Sequence, residues 1–586
     1  MKKIVSILIL VLCSTALFAE GYSEMQEAKA KTITVLATTD IHSDIWGFSY
    51  ENDKETTNTG MARAYTYIKE VRKENPNNVI LVDNGDTIQG NILTDDIYNK
   101  QDGPHPVIQA MNYMGYDSMT LGNHEYNFGI GLINRIIAQA NFPILAANVS
   151  YLDGTPLANA YTIIERNGTK IGIIGITNPN APTWDGDKVA ALKFSSGADT
   201  CRAVIDEIKD KCDVLICVAH LGETAEFDQD FEGDAGNKIA EECPELDLLM
   251  LGHFHSNIQS EVNGVKILEC AKNAASVARF DISINANNEV TGVETQLVDM
   301  SSYEPSKEIR ELPIVAQAHQ ATRDFIKGGV KDENGEVQSV ALGVTSETFQ
   351  PVNEMKGIPE GKLRDTAVID LINKVELLNS NADVVTAALF KDTSDLPKGD
   401  LNYGNIFDIY KYDNTLYTVE ITGAELKEYM EWAVRGLNTF QPGDLNISFN
   451  KEYPGYLYDM FAGVNYEVNV SKPIGSRIEN VTFKGKPLDP NQKLILGVNN
   501  YRYSGLKAAK IISGKRNWES SNSIRDMLVR YLEEKGTISP EVDNNWKLTG
   551  YSWDADLRAK ACELVNNGTI ETPYNKSLTK ADLLNY

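Results

Sequence analysis

Residue types that bind metal ions recur at the ends of apolar runs in the first half of this chain. The sequence contains seven histidines, and five of them follow such runs, as in "ITVLATTDIH", "DSMTLGNHE", "DVLICVAHLG" and "LDLLMLGHFH". Two aspartates and an asparagine stand in equivalent places. The candidate ligands are Asp40, His42, Asp86, Asn123, His220, His253 and His255. Carboxylate, amide and imidazole groups together suit Zn, Mn or similar divalent ions and differ from a thiolate site.

The number of candidate ligands predicts two ions rather than one. A single ion takes about four to six ligands. Seven candidates, with one carboxylate able to bridge, indicate two divalent ions about 3.5–4 Å apart. Such a pair binds a phosphoryl group, generates hydroxide near neutral pH and stabilises the charge that develops in an in-line displacement. Each histidine taken singly is more typical of a core or surface residue. Five histidines at strand ends favour a shared centre.

The elements that must position these residues are buried strands. Val, Ile and Leu fill eight short runs between residues 31 and 300 almost without alternation, which is typical of strands covered on both faces. Amphipathic segments such as "MARAYTYIKEVRKEN" lie between the runs and predict helices. The alternation predicts a layered α/β domain. Because ligands bind beyond the carboxyl ends of strands in open α/β sheets, we expect the candidate ligands at one edge.

The composition changes along the chain, which indicates a second domain. A chain of 586 residues is too long for one core. We assign residues 31–300 to the α/β domain and residues 301–339 to a helical connector that includes "PSKEIRELPIVAQAHQATRDFIKGG". Residues 340–555 mix strand-like runs with helices and are rich in tyrosine. They predict a mixed α+β domain.

The charge and the N-terminus limit the partners and the location. A formal net charge of −27 provides no basic excess for a nucleic-acid polymer, so the expected partner is a small nucleotide at most, and nothing implies a protein partner. Two lysines and an apolar stretch predict a signal peptide over residues 1–19. Cys13 leaves a lipoprotein signal as the alternative, although Leu12 is large for that position. Since no later run of about 18 apolar residues occurs, we predict no transmembrane segment and a secreted protein in the periplasm, at the cell envelope or outside the cell.

The motifs of the first domain resemble those of the calcineurin-like metallophosphoesterases. Their order is Asp-x-His, Gly-Asp, Gly-Asn-His-Glu, His and Gly-His-x-His, and the second half is similar to the substrate-binding carboxy-terminal domain of the 5′-nucleotidase family. The resemblance implies that one ion takes Asp40, His42, Asp86 and His255. It implies that the other ion takes Asp86, Asn123, His220 and His253, with Asp86 bridging. His124 would face the scissile phosphate and support the leaving oxygen.

Asn127 indicates which branch of the family the chain resembles. In 5′-nucleotidases the motif continues Gly-Asn-His-Glu-Phe-Asp, and this Asp partners the catalytic histidine. An Asp stabilises imidazolium by charge, whereas Asn127 can only orient the ring of His124, which makes His124 a weaker proton carrier. Relatives classed as 2′,3′-cyclic-nucleotide 2′-phosphodiesterase/3′-nucleotidase carry Asn here, and phrases such as "VDNGDTIQGN" and "GNHEYNFG" are similar to theirs. We assign His124 and Asn127 to catalysis, with a helix cap as the alternative role of Asn127.

This branch implies hydrolysis of nucleotide phosphoesters. The expected reaction opens 2′,3′-cyclic nucleotides to 3′-nucleotides and then removes the 3′-phosphate. The alternative is a 5′-nucleotidase or a nucleotide pyrophosphatase similar to UDP-sugar hydrolases. The second half lacks the Asn-Gly-Gly-x-x-Arg stretch expected of a typical 5′-nucleotidase, which argues against 5′-monophosphate specificity.

Tyrosines of the second half are candidates for holding a base. A nucleobase is bound well between two aromatic faces, each worth about 1–3 kcal/mol and tolerant of base identity. By resemblance, Tyr412 in "YKYDN" supplies one face. The opposing face comes from Tyr501 or Tyr503 in "NNYRYSG", and we favour Tyr503. The alternative is that these tyrosines are strand residues that pack a core.

Overall fold

The structure, a computed structural model, describes residues 31–586 except residues 51, 227–232, 327–328, 332–336, 340, 413 and 585. The predicted signal peptide over residues 1–19, with Cys13, lies outside the described residues. The chain divides into two compact units, Met1–Gln320 and Ala321–Tyr586. The division falls inside the segment 301–339 that the sequence suggests as a connector.

Two six-stranded sheets form the first unit. Across the first sheet the strands are Val290–Asp299, Ser276–Ile284, Lys31–Thr38, Val79–Asp83, Ser118–Thr120 and Ile144–Leu145. Across the second sheet they are Ile258–Val262, Val265–Glu269, Leu248–Leu251, Val214–Ala219, Thr169–Ile176 and Tyr161–Arg166. The four strands from Lys31–Thr38 to Ile144–Leu145 run parallel, as do the four from Val265–Glu269 to Thr169–Ile176. The remaining strands pair antiparallel at the edges.

The eight parallel strands are the eight apolar runs of the sequence. They are mostly apolar because both faces are covered, and every residue of Val79–Asp83 is buried. One face of each sheet packs on the other sheet, so that Ile80 and Ile216 share a core cluster. The outer face of the second sheet packs on helices, where Leu249 lies in a cluster with Ile205. This layering is the α/β architecture predicted from the sequence.

Helices and short strands connect the strands of the first unit. The helices are Met61–Glu74, Pro106–Met114, Ile130–Gln139, Ala181–Asp185, Gly197–Ile208, Gly236–Glu242 and Lys307–Arg310, and Pro313–Ile326 crosses the division. Two further strand pairs are Phe48–Ser49 with Lys54–Glu55 and Val149–Tyr151 with Leu192–Phe194. Local sequence explains the ends of the helix Pro106–Met114. Pro106 has no N–H to leave unsatisfied in the first turn, and Gly115 at φ 71° ends the helix in the left-handed conformation.

The second unit is a mixed α+β structure. Its five-stranded sheet has the order Asp459–Ala462, Val384–Ala388, Lys493–Asn499, Thr415–Thr422 and Arg516–Ser523. A four-stranded sheet contains Lys486–Pro487, Ile478–Phe483, Val464–Asn469 and Trp546–Thr549. Smaller sheets contain Gly399–Leu401, Gly343–Thr345 and Thr537–Ile538, and the pair Gly329–Lys331 and Val337–Ser339. Parallel and antiparallel pairs occur in the same sheet, as the strand Lys493–Asn499 shows with its two neighbours.

Six helices of at least seven residues accompany these sheets within the described residues. They are Ala367–Leu378, Tyr403–Ile409, Gly423–Ala433, Asn500–Ala508, Ile524–Lys535 and Ala555–Asn566. The unit continues past residue 555, where the sequence suggests that the domain ends, and Ala561 and Val565 of the last helix are buried. Among the helices that the structure describes, none combines the length and apolar character needed to cross a bilayer.

Candidate functional site

The carboxyl ends of parallel strands in the first unit bring six of the seven predicted ligands together, and Asn123 follows a strand of the same sheet as Asp86. In chain order, the strands and the residues that follow them are Lys31–Thr38 with Asp40 and His42, Val79–Asp83 with Asp86, Ser118–Thr120 with Asn123, Val214–Ala219 with His220, and Leu248–Leu251 with His253 and His255. Two groups result, and within each group one ligand atom per residue lies within 4.8 Å of the others. One group is Asp40, His42, Asp86 and His255, and the other is Asp86, His220 and His253. Asp86 belongs to both groups.

The backbone is strained at most of these positions. Asp40, His42, Asp86, His253 and His255 have φ values of 50°, 46°, 52°, 75° and 58°, in the left-handed region. A residue other than glycine in this region costs about 1–3 kcal/mol, and such strain concentrates at functional sites. The tight turns after the strands point these side chains at a common centre, which explains why the strain persists.

Four buried atoms of the candidate ligands have no hydrogen-bond partner among the described residues apart from one another or other candidate ligands. They are Asp40 Oδ1, Asp86 Oδ2, Asn123 Oδ1 and His220 Nε2. Asp86 Oδ2 lies 3.1 Å from His220 Nε2, and Asp40 Oδ1 lies 3.2 Å from His255 Nε2. An unsatisfied buried polar atom costs about 1–3 kcal/mol, which a cation placed among these atoms would remove. The donor set of carboxylate, amide and imidazole therefore fits divalent metal ions.

Hydrogen bonds through Nδ1 orient two of the rings. His42 Nδ1 lies 2.8 Å from the carbonyl oxygen of Gln89, and His220 Nδ1 lies 2.6 Å from that of Asn84. Because a carbonyl only accepts, each ring carries a proton on Nδ1, and in the neutral form Nε2 is the free lone pair. Gly90, at φ 108°, leaves room for the first contact, since a Cβ there would lie 2.6 Å from His42 Nδ1.

His253 has a carboxylate neighbour that the sequence did not indicate. Its Nε2 lies 2.8 Å from Glu226 Oε2, and its ring centroid lies 5.6 Å from that of Trp184. Its backbone N–H donates to Asp40 Oδ2 at 3.1 Å. Glu226 lies in no motif, and it reaches the site only through the fold.

The loops that carry Asp86 and Asn123 are tied together by a buried glutamate. Glu125 accepts hydrogen bonds from the backbone N–H groups of Asp86, Thr87 and Gly122 at 2.8, 2.7 and 2.7 Å. Gly122 permits the close approach, because a Cβ there would lie 2.3 Å from Asp86 Oδ1. Glu125 and Gly122 both belong to the Gly-Asn-His-Glu motif. The spacing of this motif is the sequence feature from which the two structural roles could have been predicted.

The electrostatics of the two ligand groups favour a positive charge beside the two aspartates. Burial by itself lowers the pKa of His220, but the carboxylates of Asp86 and Asp40 raise it to about 10. Burial by itself raises the pKa of Asp86, but His220 and His124 bring it well below its ordinary value. Burial and the neighbouring His255 lower the pKa of His42 to about 3, so this ring is neutral, as metal coordination requires.

His124 lies beside the two ligand groups and belongs to neither. Its Nε2 lies 3.9 Å from Asp86 Oδ2, and its backbone N–H donates to Asp86 Oδ1 at 2.8 Å. Its Nδ1 lies 2.7 Å from Asn127 Oδ1, so the structure pairs the two residues that the sequence assigns to catalysis. Asn127 Nδ2 in turn lies 3.1 Å from each carboxylate oxygen of Asp185, a residue that the sequence did not single out.

A tyrosine-lined cavity of about 200 Å³ lies in the second unit. It is lined by Ala388, Phe390, Tyr412, Asn414, Tyr456, Asp459, Asn499, Tyr501 and Arg502. The tyrosines Tyr412 and Tyr501 are 41% and 58% exposed. Tyr503 is absent from this lining: its ring packs edge-on against Tyr417 with centroids 5.4 Å apart, and its hydroxyl accepts from the backbone N–H of Arg516 at 3.1 Å. Tyr501 therefore lines this cavity together with Tyr412, whereas Tyr503, which we favour from the sequence, does not.

Facing sheets that present aspartate, asparagine and histidine at adjacent strand ends define the class of metal-dependent phosphoesterases. Residues 33–257 match the family model described as calcineurin-like phosphoesterase, and residues 343–513 match the model described as 5′-nucleotidase, C-terminal domain. The chain belongs to the family in which the first of these domains is followed by the second. The predicted family and fold class are thereby confirmed.

Two relatives and one solved structure are similar over most of the chain. The trifunctional nucleotide phosphoesterase protein YfkN of Bacillus subtilis is 29% identical over 92% of this chain, which spans 41% of that protein's length. The 2′,3′-cyclic-nucleotide 2′-phosphodiesterase/3′-nucleotidase of Salmonella typhimurium is 28% identical over 93% of each chain. The structure of the Haemophilus influenzae NAD nucleotidase has a TM-score of 0.64 at 16% identity and covers 89% of this chain and all of that chain, a likeness of fold.

Proposed function

We propose that this protein is a metal-dependent phosphoric ester hydrolase that opens 2′,3′-cyclic nucleotides to 3′-nucleotides and then removes the 3′-phosphate. The observation that carries this proposal is the pair of ligand groups that share the carboxylate of Asp86. The choice of substrate is supported by the 28% identity with an enzyme of that name over 93% of both chains.

The proposed cofactors are two divalent ions, Zn, Mn or similar. Asp40, His42, Asp86 and His255 would hold one ion, and Asp86, Asn123, His220 and His253 would hold the other. When bound, two such ions polarise a phosphoryl group and make water acidic enough to provide a nucleophile near neutral pH. The buried oxygens of Asp40, Asp86 and Asn123 support this assignment, since among the described residues they have no hydrogen-bond partner outside the candidate ligands, and a cation would satisfy them.

His124 is assigned the support of the leaving oxygen. Its Nε2 faces the carboxylate shared by the two ligand groups, whereas its Nδ1 is occupied by Asn127. Nε2 can donate a hydrogen bond to the leaving oxygen only when the imidazole carries its second proton, because the first proton lies on Nδ1. Asn127 orients the ring and contributes no charge of its own.

The tyrosine-lined cavity is assigned the binding of the nucleobase. Among the aromatic residues that line this cavity, Tyr412 and Tyr501 are the most exposed to solvent. Stacking on an aromatic face is worth about 1–3 kcal/mol and does not depend on the identity of the base. The proposed partner is therefore a small nucleotide.

We also propose that the protein is secreted, on the basis of its N-terminal sequence.

Product analysis on 2′,3′-cyclic AMP tests this function. Purified protein, stripped of metal and supplied with Zn²⁺ or Mn²⁺, is incubated with the substrate, and products are separated by chromatography over time. We expect 3′-AMP to accumulate first and adenosine to follow. The Asp86→Asn variant, prepared in parallel, measures contaminating activity.

Parallel reactions with 5′-AMP and UDP-glucose test the alternative. Strong turnover of 5′-AMP without turnover of 2′,3′-cyclic AMP would establish a 5′-nucleotidase instead. Cleavage of UDP-glucose alone would indicate a nucleotide pyrophosphatase.

A further inference from the structure

Asp185 lies behind the catalytic pair and has contacts that restrict it. It is the last residue of the helix Ala181–Asp185 and is only 5% exposed. Its two carboxylate oxygens are both 3.1 Å from Asn127 Nδ2. Burial raises the pKa of Asp185, and the ammonium of Lys188, 3.4 Å from Oδ1, acts in the opposite direction and favours the charged form.

The carboxylate determines which way the amide of Asn127 points. An ionised carboxylate only accepts hydrogen bonds, so the NH₂ group of Asn127 must face Asp185. The amide oxygen then faces His124, at 2.7 Å from Nδ1. An amide oxygen also only accepts, so Nδ1 of His124 must carry a proton and Nε2 must be the nitrogen presented to the substrate. Without Asp185, the amide could rotate by half a turn and offer its NH₂ group to Nδ1. No acceptor would then face Nδ1, and the doubly protonated ring that donates from Nε2 while Nδ1 keeps its proton would be disfavoured.

We propose that Asp185 is a positioning residue that fixes the tautomer and the ring of His124 through Asn127. The proposal rests on the proposed function, because the orientation of His124 matters only if that ring acts on the substrate. Asp185 belongs to neither of the two ligand groups. Its effect passes through two hydrogen bonds, and chains of hydrogen bonds polarise one another.

Four variants test this proposal. They are Asp185→Asn, Asn127→Asp, the double variant that combines both changes, and Asp187→Asn as the matched control. Asp187 is exposed and lies two residues from Asp185, so its substitution makes the same chemical change without reaching His124. For each variant, kcat and KM are measured on 3′-AMP, whose leaving group is poor, and on p-nitrophenyl phosphate, whose leaving group is good. Melting temperature and metal content are measured on the same preparations.

The expected result is that each single variant loses activity and that the double variant recovers part of it. Asp185→Asn should lower kcat on 3′-AMP about 10- to 100-fold, the range seen when a partner that orients a functional side chain is removed, with little change in KM. The loss on p-nitrophenyl phosphate should be smaller, because that leaving oxygen needs less support. Asn127→Asp alone should also lose activity, since it places two carboxylates in contact. The double variant should be more active than either single variant, because the carboxylate now at position 127 accepts from Nδ1 and the amide now at position 185 donates to that carboxylate.

Three outcomes would overturn the proposal. The first is Asp185→Asn with the same kcat as Asp187→Asn on both substrates. The second is a double variant whose loss is the product of the two single losses. The third is an equal loss on the two substrates together with a lower melting temperature, which would make Asp185 a structural residue. Inactivity of the wild-type protein on both substrates, with metal bound, would instead overturn the proposed function and this inference together.

Discussion

Replacing Asp86 by asparagine tests the shared carboxylate most directly. Asn has the shape of Asp and keeps an oxygen that can accept from the His124 N–H, now 2.8 Å from Oδ1. Its NH₂ group would then lie at the position of Oδ2, 3.1 Å from His220 Nε2. His220 already donates through Nδ1 to Asn84, so Nε2 of the neutral ring can accept from this amide. We therefore expect the variant to fold. The lone pair of His220 Nε2 would accept a hydrogen bond from the new amide and would no longer be available to a metal ion.

The size of the effect follows from the charges in the two ligand groups. Asp86 is the only carboxylate among the proposed ligands of the second ion, whereas Asp40 remains for the first. The variant should therefore lose the second ion and bind the first more weakly. Removing one preorganised charge-stabilising group costs about 10²–10³ in kcat. Loss of an ion should exceed this, so we expect kcat to fall at least about 10³-fold, or about 4 kcal/mol of activation free energy.

The assay combines turnover with metal stoichiometry. Rates on 2′,3′-cyclic AMP and on bis-p-nitrophenyl phosphate are measured with Zn²⁺ or Mn²⁺ added back. Bound metal is counted by mass spectrometry after gel filtration. The wild type should bind two ions per chain, and the variant should bind at most one.

Asp117→Asn is the control for this variant. Asp117 precedes the strand Ser118–Thr120 in the same sheet, at the end opposite to the ligands, and pairs with Arg166. Its loss should lower stability without changing kcat. Wild-type turnover in Asp86→Asn, or two bound ions at full occupancy, would refute the shared-carboxylate assignment.

Three further predictions address the base, the metals and the pH dependence of stability. Tyr412→Ala and Tyr501→Ala should each raise KM for nucleotides about 5- to 150-fold, the equivalent of about 1–3 kcal/mol, and spare bis-p-nitrophenyl phosphate, whereas Tyr503→Ala should leave the KM for nucleotides nearly unchanged. Equal losses on both substrates would make a tyrosine structural. Chelation should abolish turnover and lower the melting temperature, and metal at 100 times its Kd should restore about 2.7 kcal/mol of stability. An unchanged melting curve would contradict bound ions. Burial and two neighbouring aspartates raise the pKa of Asp365 to about 7, above its value in the unfolded chain, so the stability it contributes is present at low pH and is lost as pH rises through 7. Asp365→Asn should therefore raise the free energy of unfolding at pH 8 by on the order of 2 kcal/mol and leave it little changed at pH 4, as urea titrations at both pH values would show.

The strands and the positions after them could be predicted from the sequence for a local reason. A strand buried on both faces is mostly apolar, and the candidate ligands follow at its carboxyl end. Asp40 and His220 follow strands of different sheets, yet each was found by the same rule. The ligand types then indicate metal binding, since carboxylate and imidazole side chains in adjacent turns are typical ligands of divalent ions.

The division of the strands between two facing sheets was not predictable in this way. A strand in either sheet has the same apolar pattern, because burial by a second sheet and burial by helices place the same demand on its side chains. The antiparallel strands at the edges, such as Tyr161–Arg166, alternate between half-buried and exposed residues and gave no continuous apolar run. Their pairing depends on neighbours that are distant in the chain.

The amino-acid sequence by itself determined the family, the succession of two domains and the residue types that meet at the strand ends. Only the tertiary structure decided which partners support them. Asp185 is 58 residues from Asn127, and no spacing rule connects a buried acceptor to a donor so far away. Tyr501 and Tyr503 lie two residues apart in the helix Asn500–Ala508, so about 200° of rotation separates their side chains, and only the packing of that helix decides which one reaches the cavity.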